Sequence, residues 1–412
     1  MTVPAQVQLY DSNQGRAWGS RWVPAVVCSV IVIVLSMVPK LQAAEWSVSP
    51  SLGVKGVYNS NLLLSPLPHD DTYGYWVTPA MEVSGNSERL DVSSRIAADF
   101  VGYFGGEDRH FTNVFVPLAI SYKTEKDLFG FSGGLTRDNT LLSELQETGV
   151  VLQFTQRNRW TFNPTWTRRL TEKLSFQSGV QFSDTTYESG RLVDYRLFGG
   201  SGGFSYALTE RDQVQIMGSY LDFRTTDSPS AFRSNFPGID MSLTHAFSES
   251  LTGTVHGGPR FLQSTSEIFG VDLTTHDTVW LVGASLQQKF EQAVVSASFE
   301  RDLVPSGFGL LIQTNRAQAS ASYDISETLT GSMSVVGVLT SGKSQVAVGG
   351  VFPDSRYVSI TPKLSWKFLE WWQAEVSYMY RWRDNDTQLD SANSHATTFM
   401  VTYYPPKRTF FH

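Results

Sequence analysis

A two-residue alternation over residues 356–384 constrains the fold of this chain more than any other feature. From 358 to 368 every second residue is apolar, and the residues between them are Ser, Thr or Lys. After a tight connection at 369–371, the alternation resumes over 372–383. Because strand side chains point to opposite faces in turn, this stretch predicts a β-hairpin with one apolar and one polar face. Each arm of about a dozen residues can cross a bilayer, since a tilted strand needs ~9–11.

The hairpin unit repeats along the chain. Eight short connections contain a glutamate, at intervals of about 36 to 47 residues, and each interval has room for two strands and a longer loop. Those longer loops gather Gly, Pro, Asp, Asn and Ser, which favour turns. They are predicted at 59–71, 105–110, 139–148, 187–193, 226–232, 263–275, 303–312, 341–354 and 385–394. Short turns on one side and long loops on the other are typical of outer-membrane barrels, with the short side in the periplasm.

We therefore predict an all-β fold, a transmembrane antiparallel up-and-down β-barrel over residues 45–412. Eight turns and nine loops give about 18 strands; about 16 is the alternative, because 47–58 and 149–169 alternate less clearly. A soluble propeller is the main structural rival, but its blades would need short strands and a repeated blade motif. The hydrophobic fraction of 41% suits a barrel, in which lipid-facing and interior residues alternate.

The N-terminal segment has the pattern of an export signal. An apolar run at 23–38 follows Arg16 and Arg21, and small residues come just after it at 43–44. This predicts a secretory signal peptide over residues 1–44, with a single anchoring helix as the alternative. The only cysteine, Cys28, lies in this run, so the exported part would contain no disulfide. The expected location is the bacterial outer membrane.

Nothing in the sequence favours catalysis, a cofactor or nucleic-acid binding. The net charge of −7 argues against a phosphate-binding face. The seven histidines form no close pair and no exported cysteine accompanies them, so no metal site is predicted. His245 shares the apolar face with Leu243 and Phe247, but it lies beside a turn, where a polar interfacial group is ordinary. No catalytic or phosphate-binding motif is present, so we predict a protein that is not an enzyme and has no cofactor.

The predicted function lies in the barrel interior. Charges of both signs fall on the inward face, where they can pair or can keep a pore wet and bias the solutes that pass. The predicted lumen-lining residues are Asp91, Arg95, Asp99, Arg159, Arg169, Lys363, Lys367, Glu375, Arg381 and Arg383. These predict a porin-like channel for a polysaccharide or small hydrophilic solute. The alternative is a non-conducting scaffold barrel that recruits periplasmic or surface partners. Outer-membrane lipid is the expected surroundings in either case.

The N-terminal part of the barrel resembles a known family. Residues 48–52 (Val-Ser-Pro-Ser-Leu) and 58–64 (Tyr-Asn-Ser-Asn-Leu-Leu-Leu) are similar to the opening of the β-barrel porin 2 type families, and 77–83, 89–92 and 101–104 continue the likeness. Relatives of these families occur in exopolysaccharide-export and exosortase-associated systems. The resemblance implies a part in polysaccharide secretion beside periplasmic export proteins, and it brings no catalytic residues. The chain departs from the usual barrel ending, because residues 404–412 follow the last predicted strand.

Overall fold

The structure, a computed structural model, describes residues 45–411 except 107, 142, 150–153, 227–231, 269–270, 342–353 and 387–389. The predicted signal peptide therefore lies outside the described residues. The strands are β1 Glu45–Asn59, β2 Thr72–Asn86, β3 Leu90–Phe104, β4 Arg109–Lys123, β5 Asp127–Asn139, β6 Gln156–Arg169, β7 Leu174–Tyr187, β8 Asp194–Ala207, β9 Asp212–Thr226, β10 Phe232–Asn235, β11 Gly238–Ala246, β12 Leu251–Ile268, β13 Val271–Lys289, β14 Ala293–Pro305, β15 Leu311–Asp324, β16 Leu329–Ser341, β17 Ser355–Leu369, β18 Trp372–Asn385, β19 Ala392–Tyr403 and β20 Arg408–Phe411. A short helix, α1 (Glu144–Thr148), lies in the β5–β6 loop. No helix among the described residues is long and apolar enough to cross a membrane.

Antiparallel pairing of neighbours closes these strands into a barrel. β19 pairs with β1, from Leu52 opposite Tyr403 to Asn59 opposite Ala396. β10 and β11 both pair with β9 and β12 in one continuous register, so they are two parts of one strand interrupted at Phe236 and Pro237. Counting that pair once and leaving out short β20 gives 18 barrel strands. The prediction of a closed antiparallel barrel of about 18 strands is confirmed.

The C-terminal residues extend the closing strand. β20 pairs with residues 45–48 of β1, directly below the part of β1 that pairs with β19. The pairing register shifts by one residue between β19 and β20. Pro405 and Pro406 lie in this interruption, where proline has no backbone N–H to donate to a ladder. The terminal segment that departs from the usual barrel ending is thus a second portion of the last strand.

The hairpin predicted from the alternation is β17–β18, and its short connection is at residues 370–371. The loop predicted at 263–275 is wrong for most of its length. β12 runs to Ile268 and β13 begins at Val271, with Thr265 opposite Thr274 in the ladder. Polar Ser, Thr and Asp residues are typical of loops, but β-branched threonine fits a pleated strand and its hydroxyl forms cross-strand hydrogen bonds. The predicted loop at 303–312 likewise shortens to 306–310.

The barrel wall has an apolar outer face. Leu364 and Val376, opposite each other on β17 and β18, are exposed, as are Val255, Leu286 and Phe299 farther round. Residues of the other parity point into the barrel. The interior differs along its axis, and we name its two parts by the connections beside them. The packed half is the part next to the long loops, and the polar half is the part next to the short turns.

In the described structure, three clusters that each contain several buried residues lie in the packed half. The largest joins inward residues of β7–β15, including Tyr195, Leu197 and Phe223, and residues of loops 188–193 and 306–310 pack against it. The second joins Leu64 of the first loop and Leu145 of α1 to Val338 and Tyr357 on the wall. The third places Leu62 against Trp76, Val101 and Tyr103. Long loops therefore fold into the barrel and bury the inner wall there.

Candidate functional site: the barrel interior

The polar half is lined by hydroxyl and amide groups that hydrogen-bond between strands. Side-chain oxygens of Ser47 and Ser84 lie 2.6 Å apart, and Ser296 and Ser320 Oγ atoms are 2.7 Å apart, each pair on neighbouring strands. Gln215 Nε2 on β9 donates to Gln177 Oε1 on β7 at 2.7 Å, over the strand that lies between them. Thr244 with Thr254 and Ser377 with Thr398 extend the same pattern. Cross-strand polar pairs of this kind stabilise adjacent strands. They also present hydrogen-bonding groups to whatever occupies the interior.

Several of the predicted lumen residues lie on the inner face of the polar half. Lys363 Nζ is 3.3 Å from Glu375 Oε2 across β17 and β18. Asp99, close to the middle of β3, accepts a hydrogen bond of 2.7 Å from Thr78 Oγ1. Four others are solvent-exposed on the inward face: Asp91, Arg95, Arg169 and Lys367. The structure therefore brings Lys363 and Glu375 together, whereas no ion pair among the described residues joins the other five to one another.

Arg159 belongs instead to a charge network in the packed half. Its Nη1 is 3.2 Å from Glu147 Oε1 in α1, and Arg157 Nη1 is 3.1 Å from the other oxygen of that carboxylate. Arg157 also forms a bidentate pair with Asp138 on β5, with Nη2 at 2.9 Å. Arg157, Asp138 and Glu147 were not predicted. Because Arg157 and Arg159 are two residues apart in a strand, the sequence indicates that both point to the same face. The position of Glu147 depends on how the loop folds.

Arg381 and Arg383 are buried, although both were predicted to line a wet lumen. They are 5% and 4% exposed, because the first long loop lies over them. Arg381 Nη2 donates to the carbonyl oxygens of Asn61 at 3.2 Å and Leu62 at 3.4 Å, and Arg383 Nη2 donates to that of Leu64 at 2.7 Å. Both Nε atoms and Arg383 Nη1 have no hydrogen-bond partner within the described residues. Loop carbonyls, which carry only partial charge, thus cap two adjacent guanidinium groups.

The Asn-x-Asn motif of the family resemblance shapes this first loop. Asn59 Oδ1 accepts the backbone N–H of Asn61 at 3.0 Å. The Asn61 side chain then ties the loop to itself through Ser65 (2.8 and 2.9 Å) and to the wall through the carbonyl of Asn393 (3.0 Å). Leu64, at the inner tip, is fully buried and has a φ of 53°, a left-handed conformation that non-glycine residues rarely adopt. The motif therefore fixes a loop inside the barrel.

Helix α1 is fixed by a second carboxylate. Tyr187 Oη donates to Glu144 Oε1, and the Gly307 N–H also hydrogen-bonds this carboxylate. Burial raises the pKa of Glu144 from 4.5 to about 7, and the nearby Glu147 charge acts in the same direction. The Tyr187 hydroxyl, Arg157 and the Gly307 N–H oppose that rise. Glu144 therefore takes up a proton near neutral pH while it holds three parts of the packed half together.

Two histidines have acidic partners in different surroundings. Inside the barrel, His256 Nε2 is 3.2 Å from Glu300 Oε2 and Nδ1 is 3.6 Å from Asp240 Oδ2. A Cβ at Gly283 would collide with this imidazole, so that glycine makes room for the cluster. On the outer wall, His245 Nδ1 is 2.6 Å from Asp212 Oδ1. Within the described residues no group of three or more His, Cys, Asp or Glu is arranged to hold a metal ion.

No protein-family model matches this chain, and no curated protein matches it in sequence. The solved structures it resembles include OccK5 (OpdH) of Pseudomonas aeruginosa, at 12% identity and a TM-score of 0.40, over 88% of this chain and 98% of that one. OccK2 (OpdF) of the same species, in complex with glucuronate, gives 8% identity and a TM-score of 0.44 over 87% and 97%. The ferric citrate transporter FecA gives 12% and 0.48, over 84% of this chain and 60% of that one. Likeness at this level carries no inference about function, and the barrel fold rests on the strand pairing within this chain.

Proposed function

We propose that this protein is an outer-membrane channel for hydrophilic solutes, in which the packed half is the gate and the polar half is the vestibule. The observation that carries this proposal is the division of the interior. Hydroxyl, amide and mixed charged groups line one half, and long loops that are tethered by side chains occupy the other. Because those loops hold to the wall through separate contacts, their release would open the packed half to the vestibule without unfolding any strand.

The membrane location is supported by the outer face. Large apolar side chains there are exposed on most strands, including Leu243, Val282, Phe204 and Trp366. A closed barrel also satisfies its backbone hydrogen bonds between strands, which is the condition for a β-structure to cross hydrocarbon. Such a wall would be costly in water and is stable against lipid chains.

A narrower proposal concerns the solute. Export of an exopolysaccharide rests on the family resemblance, and the neutral hydroxyl and amide groups of the polar half are compatible with it. Sugars present many hydroxyl groups and little charge, so such a surface can exchange hydrogen bonds with them. Small hydrophilic solutes would meet the same surface.

A second candidate function is a non-conducting scaffold barrel, and the apolar clusters of the packed half favour it. Fully burying one large apolar side chain stabilises a fold by roughly 1.5–3 kcal/mol, so three clusters hold the loops firmly. If the loops never leave, the barrel would present its rims to partners and would conduct no solute.

Planar-bilayer conductance separates the two functions. We expect the wild-type protein to show rare or small openings. A variant in which residues 61–70 are replaced by a short Gly-Ser linker should show a conductance several-fold larger, because Leu62, Leu64 and their carbonyls leave the interior. Arg191→Ala, a change at an exposed loop residue, is the matched control and should behave as wild type.

The solute is tested by swelling of liposomes that contain the linker variant in solutions of oligosaccharides of increasing length. Swelling with long neutral oligosaccharides supports the polysaccharide proposal, and swelling with monosaccharides alone limits the channel to small solutes. A bilayer that stays sealed for wild type and variant, after heat-modifiable gel mobility has shown both to be folded, would exclude a channel and leave the scaffold.

A further inference from the structure

Three arginines form a row across adjacent strands near the long-loop end of the barrel. Arg196 on β8 lies directly opposite Arg224 on β9, and Arg224 lies directly opposite Arg233 on β10. Their side chains are 51%, 54% and 49% exposed. Like charges directly opposite each other on neighbouring strands destabilise a sheet. Three arginines in one row therefore repel one another, and nearby negative charge is needed to offset the repulsion.

The row lies on the outer, lipid-facing wall. Tyr195 and Leu197, on either side of Arg196 in sequence, are buried in the interior cluster, and Phe223 beside Arg224 is buried there too. Since neighbouring strand residues point to opposite faces, Arg196 and Arg224 point outward. Phe198, on the same face as Arg196, is 53% exposed.

Two aspartates compensate the row only in part. Asp184 Oδ2 is 3.1 Å from Arg196 Nη2. Asp222 binds both other arginines: Oδ2 is 2.8 Å from Arg233 Nη2 and 3.3 Å from Arg224 Nη2. In the described structure these ion pairs therefore join three guanidinium groups to two carboxylates. Each guanidinium has five N–H donors, and these contacts use one edge of each group. The other edges, at half-exposed side chains, form no hydrogen bond to the described part of the chain, so a ligand from outside can reach them.

An aromatic and apolar surface begins next to the row, on its short-turn side. Phe198 follows Arg196 by two residues on β8, and Tyr220 precedes Arg224 by four on β9. Trp160 and Phe162 continue this exposed surface on β6. Rings at this level are typical of the boundary between hydrocarbon and headgroups. A ligand that fits both surfaces has an anionic head at the arginines and acyl chains along the rings.

We propose that Arg196, Arg224 and Arg233 bind the phosphate-bearing headgroup of a lipid in the leaflet that surrounds the long loops. Guanidinium groups bind phosphate bidentately, and an anion shared by the row relieves the repulsion between them. A lipid is the favoured source of the phosphate because the aromatic surface lies directly beside the row. The proposal rests on the membrane location given above and not on conduction.

Native mass spectrometry of the folded full chain in neutral detergent tests this site. The probes are a diphosphorylated glucosamine lipid (lipid A), the same lipid after removal of its phosphates, and inorganic phosphate. We expect wild type to bind the phosphorylated lipid about tenfold more tightly than either of the others. The triple variant R196Q/R224Q/R233Q should lose that preference. Arg95→Gln, at an exposed arginine of the inner face, should keep it.

Equal binding of the two lipids to wild type, or an unchanged preference in the triple variant, overturns the site. Binding of inorganic phosphate as tight as that of the lipid would overturn the lipid as ligand. If the triple variant fails to show heat-modifiable mobility, Arg196→Gln alone replaces it, because that change leaves the Asp222 pairs intact, and a severalfold weaker preference is then expected. Conductance is measured on the same variants, so failure of this site is distinguishable from failure of the channel.

Discussion

The packed half and the polar half of the interior are built by the same strands, yet they bury opposite kinds of side chain. On β9 the inward residues near the short turn are Gln213 and Gln215, and those near the long loop are Leu221 and Phe223. On β18 the inward residues change from Glu375, paired with Lys363, to Arg381 and Arg383 under a loop. The difference teaches that an inward side chain in a barrel is not always exposed to water. Whether it is exposed depends on whether a loop folds back over it.

The largest difference in stability is expected between two variants that each place a charge on β9, one in the packed half and one in the polar half. Phe223→Asp removes a fully buried ring and buries an unpaired carboxylate, and we expect it to destabilise the barrel by at least ~4 kcal/mol. Gln215→Asp, on the same strand and face, should cost less than ~1 kcal/mol, because its surroundings are polar. The measurement is the urea midpoint of unfolding from lipid vesicles. Similar losses for the two variants would end the distinction between the halves.

A comparison of lipid-facing and inward positions tests the orientation on which both halves depend. Val376→Arg places a guanidinium against hydrocarbon and should cost roughly 2–4 kcal/mol. Lys363→Glu changes an inward residue of the polar half and should leave assembly intact. Heat-modifiable gel mobility follows assembly, since closed barrels resist unfolding in detergent. Normal assembly of Val376→Arg together with collapse of Lys363→Glu would mean that the two faces are reversed.

The packed half should loosen as pH rises. Glu144 has a raised pKa when buried, so its contribution to loop docking is fully present below about 4.5 and is lost as pH rises through about 7. The full change is at most on the order of 3 kcal/mol, at ~1.4 kcal/mol per pKa unit. Limited proteolysis of residues 140–155 should therefore be faster at pH 8 than at pH 5. Glu144→Gln should remove most of this dependence, and Glu172→Gln, in an exposed turn, should retain it.

A smaller effect is expected on ion preference. Lys363→Glu replaces a cation of the polar half beside Glu375 with a second anion, so the linker variant that carries it should become more cation-selective. The reversal potential in a salt gradient should shift by a few millivolts to a few tens, equivalent to less than ~1 kcal/mol. Lys126→Glu, at an exposed turn residue, is the control. An identical shift in both variants would show that surface charge, and not the vestibule, sets the preference.

The assignment of the long loops to the cell surface can be tested by accessibility, without a measurement of stability. An epitope inserted at Arg191, which is exposed in a long loop, should be accessible to antibody on intact cells, and one at Ser326, in a short turn, should not. Ser306 is unsuitable as an insertion site because it is fully buried and its N–H and hydroxyl both bind the carbonyl of Leu310. Labelling at Ser326 alone would invert the topology.

The fold was largely predictable because each strand carries its own evidence. Period-two alternation, turn residues and strand length are local properties, and they gave the closed barrel and the hairpin β17–β18 with ends within about two residues. The error at 263–275 arose because polar residues on both faces of β12 and β13 resemble a loop when read without their pairing. Cross-strand hydrogen bonds, which only the partner strand supplies, decide such a segment.

The interior was predictable in part. Alternation identifies Lys363 and Glu375 as inward, and opposite strands place them in contact. It also identifies Arg381 and Arg383 as inward, but it gives no sign that the carbonyls of Asn61, Leu62 and Leu64, more than 300 residues away in sequence, cover them. The alternation likewise identifies Arg159 as inward, but it gives no sign that Glu147 of the β5–β6 loop contacts it.

The sequence by itself determined the barrel, the parity of its faces and the alternation of short turns with long loops, because side-chain direction in a strand is fixed by local backbone geometry. The tertiary structure alone decided where the loops go, which inward charges are buried and which arginines meet on the outer wall. Those contacts join residues of different strands and loops, and their energies depend on burial and distance, neither of which a local pattern encodes.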